Sequence, residues 1–164
     1  MKKLWFVIIG VAVIAGGVYY LGLYTYFVKT EIHEELPRQG EAPDSPASQM
    51  RTLATGSFGE IDLIHKGSGQ AKLIEINGKT FLRLENFSVT SGPDLYVYLS
   101  NSTKPTHNIK DLGDYADLGR LKATSGEQNY DIPPSAEDYR TAVIWCKQFG
   151  VLFSFAVMED VDQT

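Results

Sequence analysis

The chain has 164 residues, with 15 Lys and Arg against 20 Asp and Glu and a formal net charge of −5. That length allows one ordinary domain with extensions. No basic cluster interrupts the acidic balance, which excludes nucleic acid as a partner, because phosphate binding needs concentrated positive surface. The single cysteine, Cys146, excludes an internal disulfide, so the domain must be held by its core.

Lys2 and Lys3 precede an apolar run over residues 4–28 in which Thr25 is the only markedly polar side chain. A helix of that length reaches about 37 Å at ~1.5 Å per residue, enough for a ~30 Å hydrocarbon core. In lipid a single segment satisfies its own backbone only as a helix. The expectation is an uncleaved transmembrane signal-anchor helix over 1–28, bound to the bilayer through residues 4–28. The rival is a cleaved signal peptide ending near Val13-Ile14-Ala15, but the run continues past the ~7–15 residues of such a core. Basic residues before the run and Glu31, Glu34 and Glu35 after it place the N-terminus in the cytoplasm and the domain outside. The expected localisation is a single-pass cell membrane protein, and the short Met-Lys-Lys start has a bacterial look. Trp5, Tyr24 and Tyr26 suit the two interfaces.

Residues 29–53 change character, with Glu31, Glu34, Glu35, Pro37, Gly40, Pro43 and Pro46 forming a polar linker that cannot bury a core. A helical turn is expected to run as far as Leu36, where Pro37 stops it. From Ala54 the pattern is β. Runs 71–76 and 79–84 flank Asn77-Gly78, a hairpin signal because a type I′ turn needs positive φ at both central positions. A two-residue turn sets Ile76 opposite Lys79, Ile74 opposite Phe81 and Leu73 opposite Leu82. Ala71, Leu73, Leu82 and Leu84 then share the core face. In Leu95–Ser100, Leu95, Val97 and Leu99 alternate with Tyr96 and Tyr98. Thr141–Cys146 and residues 151–158 predict a second hairpin, with Val151, Phe153, Phe155 and Val157 on one face. Residues 101–121 read as a long polar loop, and one helical turn fits 135–139 after Pro133-Pro134. The fold class is all-β: a β-sandwich or flattened barrel of about 7–8 short strands over 54–160, with a 161–164 tail.

Most enzyme signatures are missing. There is no Gly-x-Ser-x-Gly, phosphate-binding glycine loop, HExxH or CxxC, and His33, His65 and His107 are far apart. Asp111, Asp114 and Asp117 alternate as calcium ligands do, but lack the glycine and closing glutamate of an EF-hand; a solvated acidic loop is the better reading. Cys146 closes an apolar strand. Free cysteine usually packs as a small hydrophobe, whereas a redox thiol or thiolate ligand needs the thiolate, which a nearby cation favours. Lys147 adjoins it, though side chains of neighbouring strand residues point to opposite faces. Asp94 and Tyr130 read as turn and packing residues.

Several blocks then occur in order: Gly56-Ser57-Phe58, His65, Gly69-Gln70-Ala71, Phe87, Ser91-Gly92-Pro93-Asp94-Leu95-Tyr96-Val97-Tyr98-Leu99-Ser100, Leu118-Gly119-Arg120-Leu121-Lys122, Gly126-Glu127-Gln128-Asn129-Tyr130-Asp131-Ile132-Pro133 and Val143-Ile144-Trp145-Cys146-Lys147-Gln148-Phe149. Together they resemble the DM-thirteen (DM13) domain, the module found beside DOMON domains in Skeletor-type animal proteins, over about residues 54–158. The resemblance implies a candidate electron-transfer module whose signature cysteine, here Cys146, acts as a bare thiol or as a ligand to a group such as haem. The usual DOMON and cytochrome b companions are absent from this sequence.

Two function classes follow. In the first, an extracytoplasmic redox module uses Cys146 as a redox thiol toward another envelope redox protein, or holds haem through Cys146 and, as a guess, His65. In the second, a non-catalytic surface binding domain presents its polar loop from a rigid scaffold, and Cys146 is buried and structural. A carboxylate enzyme has little support.

Overall fold

The computed structural model describes residues 2–20, 28–36 and 50–161. Helix α1 (Lys2–Tyr20) corrects the expected transmembrane span: among the described residues no helix is long and apolar enough to cross a membrane. Within the described residues the helix holds about 17 apolar-rich residues after its two lysines, a rise of about 25 Å against a ~30 Å hydrocarbon core. Hydropathy joins residues 4–28 into one run, of which 21–27 lie outside the described residues. Tyr24 and Tyr26, the linker over 37–49 and residues 162–164 of the tail lie outside the described residues.

Ten strands among the described residues form two sheets; nine of them lie in or overlap 54–160, where 7–8 were expected. They are β1 (Glu31–His33), β2 (Met50–Ser57), β3 (Gly67–Ile76), β4 (Lys79–Val89), β5 (Leu95–Ser100), β6 (Tyr115–Arg120), β7 (Ser125–Asp131), β8 (Thr141–Cys146), β9 (Val151–Val157) and β10 (Glu159–Asp160). The first sheet has the order β1-β7-β4-β3-β2-β10, and the second β6-β5-β8-β9. A shared core joins them: Ala71, Leu73, Leu82, Leu84 and Phe87 from the first sheet pack with Val97, Leu99, Ile144, Cys146 and Phe153 from the second. The architecture is a β-sandwich.

The Asn77-Gly78 hairpin forms as expected, with φ of 53° and 76° at the two turn residues and Ile74 opposite Phe81, Leu73 opposite Leu82. Its outer face differs from expectation, since Ile74, Ile76 and Phe81 are themselves buried in a small cluster with Leu36 packed against it. The second hairpin also forms, but the single face expected for Val151, Phe153, Phe155 and Val157 is broken. Ile144 pairs with Ser154 and Trp145 with Leu152, so Phe153 is the extra residue of a bulge. Val151 and Phe153 therefore join the main core, while Phe155 turns out to the cluster of Tyr98, Leu112, Val143, Trp145 and Leu152.

Three local expectations yield to tertiary pairing. The helical turn expected before Pro37 is strand β1, which pairs in parallel with β7: Ile32 lies opposite Gly126 and His33 opposite Glu127. An open sheet edge offers backbone partners that outweigh the local helical preference. Part of the polar loop is edge strand β6, paired with β5, whose Ala116 and Leu118 pack on the core. The turn expected over 135–139 is a 3₁₀ turn at Pro134–Ala136.

Truncation of Leu82, which is fully buried, is expected to lower the free energy of urea unfolding by about 2–5 kcal/mol. Leu63→Ala, at a side chain 93% exposed, stays within about 0.5 kcal/mol of the parent in the same titration.

Candidate functional site

Strand β8 lies between β5 and β9, and all six of its residues are buried. Cys146 is its last residue, with Leu95 of β5 and Val151 of β9 as cross-strand partners. Its exposure is 0%, and it belongs to the apolar core between the sheets. Burial therefore pushes the thiol pKa up. Hydrogen bonding from the backbone N–H groups of Phe149, Asp94 and Gln148 favours its charged form but does not outweigh burial. The turn supplying two of them is closed by Gly150 N–H donating to Cys146 O at 2.9 Å, and Lys147 N–H donates to Asp94 O at 3.0 Å.

Lys147 does not serve the sulfur. Its ammonium lies 2.6 Å from Asp117 Oδ2 and 3.6 Å from the centre of the Tyr96 ring, on the opposite face of the sheet. Asp94 pairs with Arg120, and Arg120 lies over the other contact of the Tyr96 ring, 5.6 Å from its centre. Trp145 is a buried ring of the outer cluster. Tyr130 is a packing residue whose hydroxyl donates to Gln128 Oε1 at 2.7 Å and accepts from Lys122 N–H.

His65 is placed elsewhere, in the loop between β2 and β3. Its ring packs edge-on against Phe153, with centroids 4.5 Å apart, and no hydrogen bond or ring contact among the described residues joins it to Cys146. Asp62, absent from the sequence reading, organises this loop. Its carboxylate accepts from Ile64 N–H and His65 N–H at 2.7 Å each, and from His65 Nδ1 at 2.6 Å. Those donors, the His65 ring first, hold Asp62 far below the usual carboxylate range. His107 was also missed as a neighbour: its ring lies 5.9 Å from that of His65, and its Nδ1 accepts from Leu152 N–H at 3.2 Å. The Asp-x-x-His spacing was a readable signal for the first pair. Nothing in the sequence ties His107 to a loop 42 residues earlier.

The acidic residues read as possible calcium ligands have other partners: Asp111 accepts from Thr106, Asp114 from Asn101 and Asp117 from Lys147. Among the described residues no group of three His, Cys, Asp or Glu is placed to hold a metal ion. Haem between Cys146 and His65 would need both side chains at one opening. None of the three described clefts is lined by either residue, and the sulfur is enclosed, so these residues do not fit haem. One cleft of about 290 Å³ is lined by Val28, Thr30, Gly92, Pro93, Leu95 and Arg120 among others. Leu95 is both its wall and the cross-strand partner of Cys146.

A two-sheet sandwich enclosing one thiol at the end of its central strand defines the class of protein. A family model described as "Electron transfer DM13" matches residues 58–158, and the chain belongs to that family. No curated protein and no solved structure matches the chain.

Because the folded Asp62 lies below its ordinary value of 3.8, its contribution to stability is present above that value and is lost as pH falls toward the folded one. Asp62→Asn is therefore expected to unfold at lower urea than the parent at pH 7. The gap narrows as pH falls below about 4, read by paired urea titrations.

Proposed function

We propose that this domain is an electron-transfer module in which the Cys146 sulfur is the redox group, working against a disulfide of another extracytoplasmic redox protein. The observation that carries the reading is the placement of the sequence's one thiol at the end of β8, directly before the turn closed by Gly150 N–H on Cys146 O. There, backbone N–H groups of Phe149, Asp94 and Gln148 favour the thiolate against burial. Such donors stabilise a thiolate once it forms, as they would any anion. Family membership supports the same assignment.

Enclosure sets the order of events. The wall at Leu95 or the turn after Cys146 opens first, and the thiol then loses its proton to solvent. The thiolate attacks one sulfur of the partner's disulfide. A mixed disulfide forms, Cys146 is oxidised, and the partner's other sulfur leaves as a reduced thiolate. A lone thiol stores no electron pair as an internal disulfide, so the partner is part of the cycle.

A second reading draws support from the complete burial of Cys146: a surface binding domain in which the cysteine only packs. Thiol labelling of the folded protein separates the two. The redox reading expects Cys146 to react with iodoacetamide at pH 8 at a rate well above that of global unfolding, with Cys146→Ser unlabelled. Labelling only as fast as global unfolding overturns it and leaves the binding domain standing.

A further inference from the structure

Residues 28–36 lie outside the stretch matched by the family model, yet they dock on the first sheet through a dense set of contacts. Thr30 N–H donates to Thr124 Oγ1, Thr124 N–H donates to Thr30 Oγ1, and Ser125 N–H donates to Thr30 O, each at 3.0 Å. Glu34 sits 2.8 Å from Lys122 Nζ and accepts from Asn129 N–H at 2.8 Å. The β7 edge is shaped for this segment. Gly126 has φ of 99°, and a Cβ there would come 1.9 Å from Ile32 O, so only glycine lets the strand approach.

Between these two anchors, His33 is placed between two carboxylates. Its Nε2 lies 3.1 Å from Glu31 Oε1, and its Nδ1 contacts Glu127 Oε2. A neutral imidazole carries one N–H, so only the protonated ring donates to both. When it is neutral, one carboxylate faces a lone pair, and Glu31 on the strap confronts Glu127 on β7 across an uncharged ring.

We propose that residues 28–36 form a detachable strap on the β7 edge, clasped when His33 carries a proton and loosened when it does not. The groups facing His33 are Glu31 from its own strand and Glu127 from β7. Glu127 in turn accepts from Asn86 N–H at 3.4 Å and lies in the field of Arg83, both on β4. The Glu127 carboxylate first, and Glu31 after it, hold the His33 pKa above its ordinary value. Docking is therefore favoured below the pKa of the free strap and weakens as pH rises through the docked value. Val28 and Thr30 of the strap line the same cleft as Leu95. The inference rests on the strap alone, whichever way Cys146 behaves.

Amide hydrogen exchange of the full chain tests it without any redox readout. Protection of the Glu34 and Ser125 amides, which donate to Glu127 O and Thr30 O, is measured from pH 5.5 to 8.5 relative to the central Leu82 amide. The ratio is expected to fall about two- to five-fold as pH rises, the range that exposed ion pairs support. In His33→Gln, at an exposed position, the ratio is expected to be low and flat with pH, and Glu127→Gln flattens it likewise. A flat ratio in the parent chain, or the same slope in His33→Gln, overturns the clasp.

Discussion

Strand β8 is covered on both faces and paired on both edges, and that enclosure governs what the rest of the domain does. Inward, Ala142, Ile144 and Cys146 meet the first sheet in the main core; outward, Val143 and Trp145 are roofed by Leu112, Leu152 and Tyr98. A strand with no solvent face has no register freedom, because a slip by one residue would exchange two different apolar environments. The bulge at Phe153 is part of this arrangement. It lets β9 fill the core with Phe153 and Ala156 while Leu152 and Phe155 cover the outside.

For the thiol, the enclosure poses two opposing effects of unequal size. Removal from water penalises the thiolate, and three backbone N–H groups favour it, with burial the larger. Burial thus favours the protonated thiol in Cys146. The cation next in sequence does not alter this balance, since Lys147 is spent on Asp117 and the Tyr96 ring. Asp94 instead links the two faces. Its backbone favours the thiolate, while its carboxylate pairs with Arg120, which lines the same cleft as Leu95.

The edges of the sandwich contrast with its centre. On the β7 edge the strap is fixed by Thr30 and Glu34 at either end of β1, with an exposed histidine in the middle. Solvent-exposed pairs of this kind are individually weak, which suits an element that can leave without unfolding the core. At the loop end, Asp62 rigidifies the turn that sets His65 against Phe153, so the loop reports on core packing rather than on a cofactor.

What the sequence determined by itself is the part that depends on neighbours along the chain. Asn77-Gly78 sets a hairpin and its register because positive φ at two successive positions is a local requirement. Alternation in Leu95–Ser100 and the apolar run Thr141–Cys146 mark strands, and the ordered Gly-Pro-Asp-Leu and Trp-Cys blocks mark the family. Edge strand β6 was not legible, since its residues read as part of a polar loop until β5 supplies a backbone partner. Neither was β1, because its partner on β7 lies 94 residues away, nor the bulge at Phe153, which shows only as a mismatch between two strands. Strand alternation already turned Lys147 away from Cys146. Only the tertiary structure decided that Cys146 is enclosed and that His65 pairs with Asp62. Each of those outcomes turns on which distant segment fills the space beside a side chain, and no local pattern encodes it.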